Sequence, residues 1–303
     1  MKKYARVGKT ILRVDTELKM KNSTTLNKKN AVICVNPHDR QAHVLDFYKK
    51  YNFTPILIYS ETKDAIGDMG IGINEQVKNI KSRIPNLVYL VDKGNDFDKI
   101  VKELKEKYNV LAVCPGYDVS LEYVDRLSKA LGVHGNDPNT TALRRDKGWV
   151  NKQLFKNKIR TPITMEFYLN TSAIDISNKI LNTIKTFPIV LKPYEGSGSR
   201  GVQIISSKKD LVEALNDCLK FKEINPIMSN KFLAQEYIDG EEGFLDFYSF
   251  NGKHLLTDAW MYTKQIFSGI NLAFKTTLIM KNTPLLAKAT AYCKKVLDAI
   301  GYK

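Results

Sequence analysis

The chain has 303 residues, 43% of them hydrophobic, which is enough for about two domains with packed cores. Its formal charge is +15 at pH 7. No apolar run resembles a signal peptide or a membrane span, and the four cysteines are too scattered for a disulfide framework or a zinc site. These features argue against secreted, membrane-spanning and disulfide-rich proteins, and we expect a cytoplasmic globular protein.

Residues 1–30 form a basic extension, which holds nine lysines and arginines against two acidic residues. A segment of this kind suits either a solvated, partly disordered tail or an arm that binds a polyanion. It lacks the interleaved aromatic residues of a platform for single-stranded nucleic acid, so we do not expect nucleic acid as a partner.

From Ala31 onward, strands alternate with helices. A buried strand is predicted for AVICV, further strands for TPILIYS, LVYLV and VLAVC, and helices for residues 39–50 and for DKIVKELKEKY. This alternation predicts a parallel, doubly wound sheet in a domain of residues 31–138, with ligands beyond the carboxyl ends of the strands. His38 follows the first strand and is either a substrate contact or a solvated loop histidine.

Two helices are predicted around the end of this domain. Residues 119–131 are amphipathic, and Gly132 is suited to end that helix. A further helix begins at Asn139 or Thr140 and includes Asp146 and Lys147. We place the start of a second domain, residues 139–303, at this helix.

A glycine-rich segment lies between two predicted strands, residues 187–191 and 202–205. Its small residues are Gly196, Ser197, Gly198, Ser199 and Gly201. Successive backbone N–H groups in such a turn form a concavity that binds anions, phosphate above all. Lys192 precedes the segment, where its ammonium could reach a bound phosphate. An ordinary glycine-rich hairpin without a ligand is the alternative.

Other glycine-rich phosphate sites fit this segment less well. A dinucleotide fingerprint needs a helix directly after the glycines, whereas residues 202–206 have strand composition. Protein kinases place their lysine after the loop and carry HRD and DFG motifs, which this chain lacks. A Walker A lysine after the last glycine is also missing.

Beyond the glycine-rich segment, Ser207 is a predicted N-cap for a helix with an apolar face. Two strands then flank a break at Asp239 and Gly240. The backbone of residues 235–238 could contact a purine. Glu242, after the break, could bind a ribose hydroxyl or be an ion-paired surface glutamate.

Three motifs occur in order: ALRRDKGWVNKQLFKNKIRTP, FPIVLKPYEGSGSRGV and LAQEYIDGEE. In this order and spacing they resemble the ATP-grasp superfamily, from about Ala31 to the last residue. The resemblance implies an α/β fold, in which a doubly wound pre-ATP-grasp domain precedes a two-lobed α+β ATP-grasp domain, divided here into residues 139–235 and 236–303.

The resemblance also implies a carboxylate–amine ligase that forms an acyl phosphate and releases ADP. The implied ATP-binding residues are Lys147, Lys192, Glu195, Gly196, Ser197, Gly198, Ser199, Gly201, Val202, Gln235, Glu236, Tyr237, Ile238 and Glu242. Arg200 and Lys264 are the implied catalytic residues, and Lys275 is a further candidate for contact with substrate. The expected partners are small carboxylate and amine substrates, with a homodimer left as one option.

Magnesium is the second implied cofactor. In the resembled family its ligands follow the last helix, so we expect them beyond residue 303; Asp246 and Asp258 are weaker candidates. Residues 1–303 alone are then expected to bind nucleotide weakly and to form no acyl phosphate. A non-catalytic ATP-binding module and a polyanion-binding protein remain the alternatives.

Overall fold

We analysed a computed structural model of the chain. The structure describes residues 4–7, 10–13, 28–37, 45, 50–60, 73–83, 87–117, 120–194, 201–224, 230–267, 270–279 and 283–303. Contacts between Cα atoms divide the chain into two compact units, Met1–Gly116 and Tyr117–Lys303. The predicted domain limits after residues 30 and 138 stay a prediction. Within the described ranges, every helix is too short or too polar to cross a membrane.

The first unit is built around a parallel sheet, as predicted. It contains β1 (Tyr4–Val7), β2 (Thr10–Arg13), β3 (Lys29–Val35), β4 (Thr54–Ser60), α1 (Ile73–Arg83), β5 (Val88–Asp92), α2 (Phe97–Lys107) and β6 (Tyr108–Pro115). The strand order is β5-β4-β3-β6, and every neighbouring pair is parallel. β3 and β4 are nearly continuous apolar runs because central parallel strands are covered on both faces.

Two further predictions concern segments near this sheet. Of the predicted helix 39–50, the structure describes only Leu45 and Lys50, both helical. Within the basic extension, β1 pairs antiparallel with β2, a hairpin that the composition did not predict. His38 lies outside the described residues.

The carboxyl ends of β3, β4 and β6 are held together by Asn36. Its Nδ2 donates to Ser60 Oγ at 2.9 Å, and Ser60 N donates to its Oδ1 at 2.8 Å. Gly116, the residue after β6, packs tightly against Asn36. A Cβ there would lie 2.4 Å from the Asn36 carbonyl oxygen. Only glycine therefore fits at this position.

The second unit contains helices and two antiparallel sheets. In chain order its elements are α3 (Leu121–Leu131), α4 (Thr141–Arg145), α5 (Lys147–Lys156), β7 (Thr164–Tyr168), α6 (Ala173–Thr183), β8 (Ile189–Pro193), β9 (Gln203–Ile205), α7 (Lys208–Ile224), β10 (Lys231–Glu236), β11 (Gly243–Phe250), β12 (Lys253–Phe267), β13 (Ile270–Leu278) and α8 (Pro284–Ala299). The sheet orders are β7-β10-β8-β9 and β11-β12-β13. Together with the parallel sheet of the first unit, this arrangement confirms the predicted fold class.

One predicted helix is divided in two. The sequence predicted a continuous helix from Asn139 or Thr140, but α4 ends at Arg145 and α5 begins at Lys147. The break occurs because the Asp146 side chain accepts a hydrogen bond from Trp149 N at 2.7 Å, which caps a new helix. Lys147 is therefore the first residue of α5.

A buried ion pair joins α3 to α4. Arg144 Nη2 lies 2.5 Å from Asp125 Oδ2, and the two side chains are 6% and 4% exposed. Thr141 Oγ1 donates to the same carboxylate oxygen. Because both charges are removed from water, each depends on its partner for stabilisation.

Helices α6 and α7 cover one face of the sheet β7-β10-β8-β9. The core there includes Ile180, Leu191, Leu215, Phe232 and Ala234, all buried. Side chains alternate along a strand, so the neighbouring residues of β8 and β10 belong to the opposite face. That opposite face carries Lys192.

The predicted N-cap at Ser207 is confirmed, and Thr283 caps α8 in the same way. Asp210 N donates to Ser207 Oγ at 3.2 Å, and Leu286 N donates to Thr283 Oγ1 at 3.1 Å. Helix α8 is described over its full length, yet none of its residues is buried. The apolar side chains of α8 are therefore at least partly exposed.

Candidate functional site

The candidate site lies on the face of the sheet β7-β10-β8-β9 that α6 and α7 leave open. Leu233 of β10 is directly opposite Lys192 of β8 on one side and Glu166 of β7 on the other. Residues opposite one another on paired strands share a face, so Lys192 and Glu166 both belong to this one. Gln235, two residues after Leu233, belongs to it as well.

Helix α5 brings Lys147 to this site. Because Asp146 starts the helix, Lys147 occupies the first turn, and its Nζ donates to the carbonyl oxygen of Tyr194 at 3.3 Å. Tyr194 follows β8 and is the last described residue before 195–200. The first motif and the second motif of the sequence therefore meet at a hydrogen bond.

The two predicted ATP lysines influence each other. Burial lowers the pKa of Lys192, and the nearby charge of Lys147 lowers it further. Each ammonium group makes the charge of the other less favourable. A polyanion bound at this site would offset that repulsion and be stabilised. The site thus has the electrostatics expected for binding phosphates.

Most of the predicted phosphate-binding segment is not described. Glu195, Gly196, Ser197, Gly198, Ser199 and Arg200 lie outside the described residues. Gly201 has a φ of +70°, and a Cβ there would lie 2.9 Å from Pro193 Cγ. Gly201 is therefore required by its backbone conformation and by close packing. Val202 is 41% exposed.

The predicted adenine segment follows β10. Gln235 is buried, and its Nε2 donates to Thr164 Oγ1 at 2.7 Å. The backbone N–H groups of Glu236 and Tyr237 donate to Ile163 and Pro188 carbonyls at 2.9 Å and 3.2 Å. These bonds fix the path of the segment.

The side chains of this segment point in different directions. The carboxylate of Glu236 pairs with Arg160 at 3.4 Å. Tyr237 and Ile238 are 38% and 54% exposed, respectively. Two apolar side chains thus remain accessible beside the open face, as a flat aromatic ligand would require.

Glu242 and Lys264 form an ion pair, although separate roles were predicted for them. Glu242 precedes β11 and is 57% exposed, whereas Lys264, within β12, is 27% exposed. The same contact agrees with the alternative of an ion-paired surface glutamate. Lys275 is exposed on β13.

A cluster beside Tyr194 was not predicted from the sequence; it consists of Gly148, Glu166, Lys231 and the lysine that pairs with Glu166, Lys152. Lys231 Nζ lies 3.4 Å from the centroid of the Tyr194 ring. The alternation of polar and apolar residues in TMEFY could have indicated that Glu166 is on a sheet face. It could not have indicated which partners the carboxylate meets.

Asp246 and Asp258, the weaker magnesium candidates, are directly opposite each other on β11 and β12. Burial and the hydrogen bond with Asp258 raise the pKa of Asp246, while hydrogen bonds from Trp260 and Asp246 lower that of Asp258. In the part of the chain that the structure describes, no group of three or more acidic, histidine or cysteine side chains could hold a metal. This pair alone is a poor magnesium site, and no step is assigned to the ion here.

The sequence of this chain is similar to those of several known proteins. Residues 185–302 match the sequence model of the ATP-grasp domain. The chain is 24% identical over 217 residues to dapdiamide A synthase of Enterobacter agglomerans, covering 70% of this chain and 49% of that protein. It is 29% identical over 191 residues to D-alanine–D-alanine ligase of Petrotoga mobilis, covering 59% of this chain and 55% of that ligase. The chain thus spans about half the length of these curated relatives.

A solved structure has the same fold. The L-amino acid ligase of Bacillus licheniformis superposes with a TM-score of 0.61 over 92% of this chain and 61% of that one. The sequence identity is 17%, so this likeness concerns the fold alone.

Proposed function

We propose that the chain is an ATP-dependent carboxylate–amine ligase, because residues 185–302 match the ATP-grasp domain and the chain is similar to dapdiamide A synthase and to a D-alanine–D-alanine ligase. In the proposed reaction, ATP phosphorylates a carboxylate to an acyl phosphate with release of ADP. An amine then displaces phosphate and forms an amide bond. Small carboxylates and amines are the proposed substrates.

The observation that carries this proposal is the pair of lysines on the open sheet face. Lys147 and Lys192 come from two different motifs, yet each ammonium affects the other. Phosphoryl transfer depends on positioning the phosphates and neutralising their charge, which is what such a pair can do. The lowered pKa of Lys192 would return towards its ordinary value when an anion binds.

The remaining ATP contacts are proposed from the sequence motifs. Phosphates are assigned to Lys147, Lys192, Glu195, Gly196, Ser197, Gly198, Ser199, Gly201 and Val202, the adenine to Gln235, Glu236, Tyr237 and Ile238, and the ribose to Glu242. The ion pair between Glu242 and Lys264 constrains the proposed ribose contact. A ribose hydroxyl would have to share the carboxylate with this lysine.

The catalytic roles are proposed for Arg200 and Lys264. A guanidinium next to the glycine-rich segment would stabilise the charge on the transferred phosphoryl group. Lys264 would orient the substrate carboxylate, provided that its pairing with Glu242 loosens when substrate binds.

The test is a product assay with ATP and panels of carboxylates and amines. Any turnover is expected to yield ADP, to require a carboxylate, and to give a hydroxamate when hydroxylamine replaces the amine. Formation of AMP and pyrophosphate would contradict the proposal.

A further inference from the structure

Glu166 is a carboxylate set among lysines on the open sheet face. Its side chain is 19% exposed, and its oxygens lie 2.7 Å from Lys152 Nζ and 3.0 Å from Lys231 Nζ. Burial raises the pKa of Glu166, but the two lysines outweigh burial and lower it overall. The carboxylate is therefore charged at neutral pH and holds both ammonium groups.

Of these two lysines, Lys231 contacts the base of the phosphate-binding segment. Its Nζ lies over the Tyr194 ring, and its carbonyl oxygen accepts a hydrogen bond from Tyr194 N at 3.1 Å. Lys231 is only 20% exposed, so its ammonium is held between the carboxylate and the ring. A cation fixed over an aromatic ring stabilises the orientation of that ring.

Helix α5 rests directly on the same group. A Cβ on Gly148 would lie 2.2 Å from Glu166 Oε1 and 3.0 Å from Tyr194 Cε2. The preceding residue, Lys147, donates to the Tyr194 carbonyl oxygen. Glu166 and Tyr194 thus form the surface against which the first turn of α5 packs, and Lys231 contacts both of them.

We propose that Glu166 is a positioning residue for ATP, which acts through Lys231 and Tyr194 to place the ammonium of Lys147. This inference rests on the proposed function, since it assigns Lys147 to the phosphates. Glu166 does not contact the nucleotide in this account. Its negative charge keeps Lys231 on the ring.

The variant Glu166→Gln tests the proposal, because glutamine keeps the shape of the side chain and removes its charge. Binding of ATP with Mg²⁺ to the 303-residue chain is measured by calorimetry, and folding by circular dichroism and thermal unfolding. We expect about tenfold weaker binding in a folded variant. The matched control is Glu213→Gln, which removes an exposed carboxylate 3.9 Å from Lys209 and is expected to leave binding unchanged.

A double-mutant cycle separates positioning from a purely structural role. If Glu166 acts through Lys147, Glu166→Gln should weaken binding little further in a Lys147→Ala background. Additive losses would overturn the proposal, as would unchanged binding in Glu166→Gln. If Glu166→Gln does not fold, Lys231→Gln breaks the same contact and is expected to show the same non-additivity.

The outcomes also distinguish this inference from the function on which it rests. Failure of the unmodified chain to bind ATP would overturn both. ATP binding that is lost in Lys147→Ala but unchanged in Glu166→Gln would overturn only the role of Glu166.

Discussion

Lys147 Nζ donates a hydrogen bond to the carbonyl oxygen of Tyr194 at 3.3 Å, which connects the start of α5 to the end of β8. Lys147 is itself assigned to ATP, and the other assigned lysine, Lys192, lies two positions before Tyr194. A shift of α5 would therefore move one predicted phosphate ligand relative to the other. The geometry of the site thus depends on the position of α5 against Tyr194.

Gly148→Ala should disturb the packing of α5 against Glu166 and Tyr194. The added Cβ would lie 2.2 Å from Glu166 Oε1 and 2.8 Å from its Cδ, so the carboxylate or the helix must move. We expect weaker ATP binding, by about tenfold, together with a loss of stability of about 1–3 kcal/mol from overpacking. Calorimetry and denaturant unfolding measure the two effects. Unchanged ATP affinity would show that the packing of α5 does not control the site.

Lys192 should make ATP binding sensitive to alkaline pH. Burial, followed by the charge of Lys147, lowers its pKa, so the folded chain releases this proton more readily than the unfolded chain. The charged form therefore costs stability at neutral pH, and this cost disappears as the pH rises from the lowered pKa to the ordinary lysine pKa. ATP, in contrast, requires the charged form.

The expected result is that ATP affinity falls as the pH rises through the lowered pKa of Lys192, below the ordinary range for lysine. Calorimetric titrations between pH 7 and 10 would follow this loss. In Lys192→Arg, the guanidinium stays protonated across the range, so the slope should largely vanish. Identical pH profiles for the two proteins would contradict the assignment of Lys192.

The buried pair of Asp125 and Arg144 should dominate the stability of the helices before α5. Arg144→Met leaves the carboxylate of Asp125 without its charged partner, at a cost of about 3–5 kcal/mol. Lys209→Met is the control, because its partner Glu213 is 3.9 Å away and both side chains are exposed. That change should cost no more than about 0.5 kcal/mol. Equal losses in urea unfolding would refute the distinction.

The motifs predicted the lysine pair, the strands around it and the helix caps, because these depend on residues close together in sequence. Three features could not be predicted from the sequence. Asp146 was expected inside a helix, but its side chain begins a new one. The other two, the pairing of Glu166 with Lys231 and that of Glu242 with Lys264, join separate strands. A lone charged residue on a strand gives no sign of which distant partner it will meet.

The basic extension is predicted to be separable from ATP binding. It carries a net charge of +7 and contains the hairpin of β1 and β2. Removal of residues 1–27 should weaken retention on a heparin column, because a net charge of +5 out of the chain's +15 is lost. ATP affinity should change by no more than a factor of about three. This is well below the roughly tenfold loss expected when one contact in the site is removed. A collapse of ATP binding would show that the extension is part of the nucleotide-binding fold.

The most direct measurement compares ATP with adenosine as ligands of the unmodified chain, Lys147→Ala and Lys192→Ala. If the two ammonium groups hold phosphates, each substitution should weaken ATP binding by about tenfold or more, through loss of a charge-assisted contact. Adenosine, which has no phosphate, should bind all three proteins equally. Equal losses for both ligands, or no loss for ATP, would contradict the claim that this lysine pair is the phosphate site.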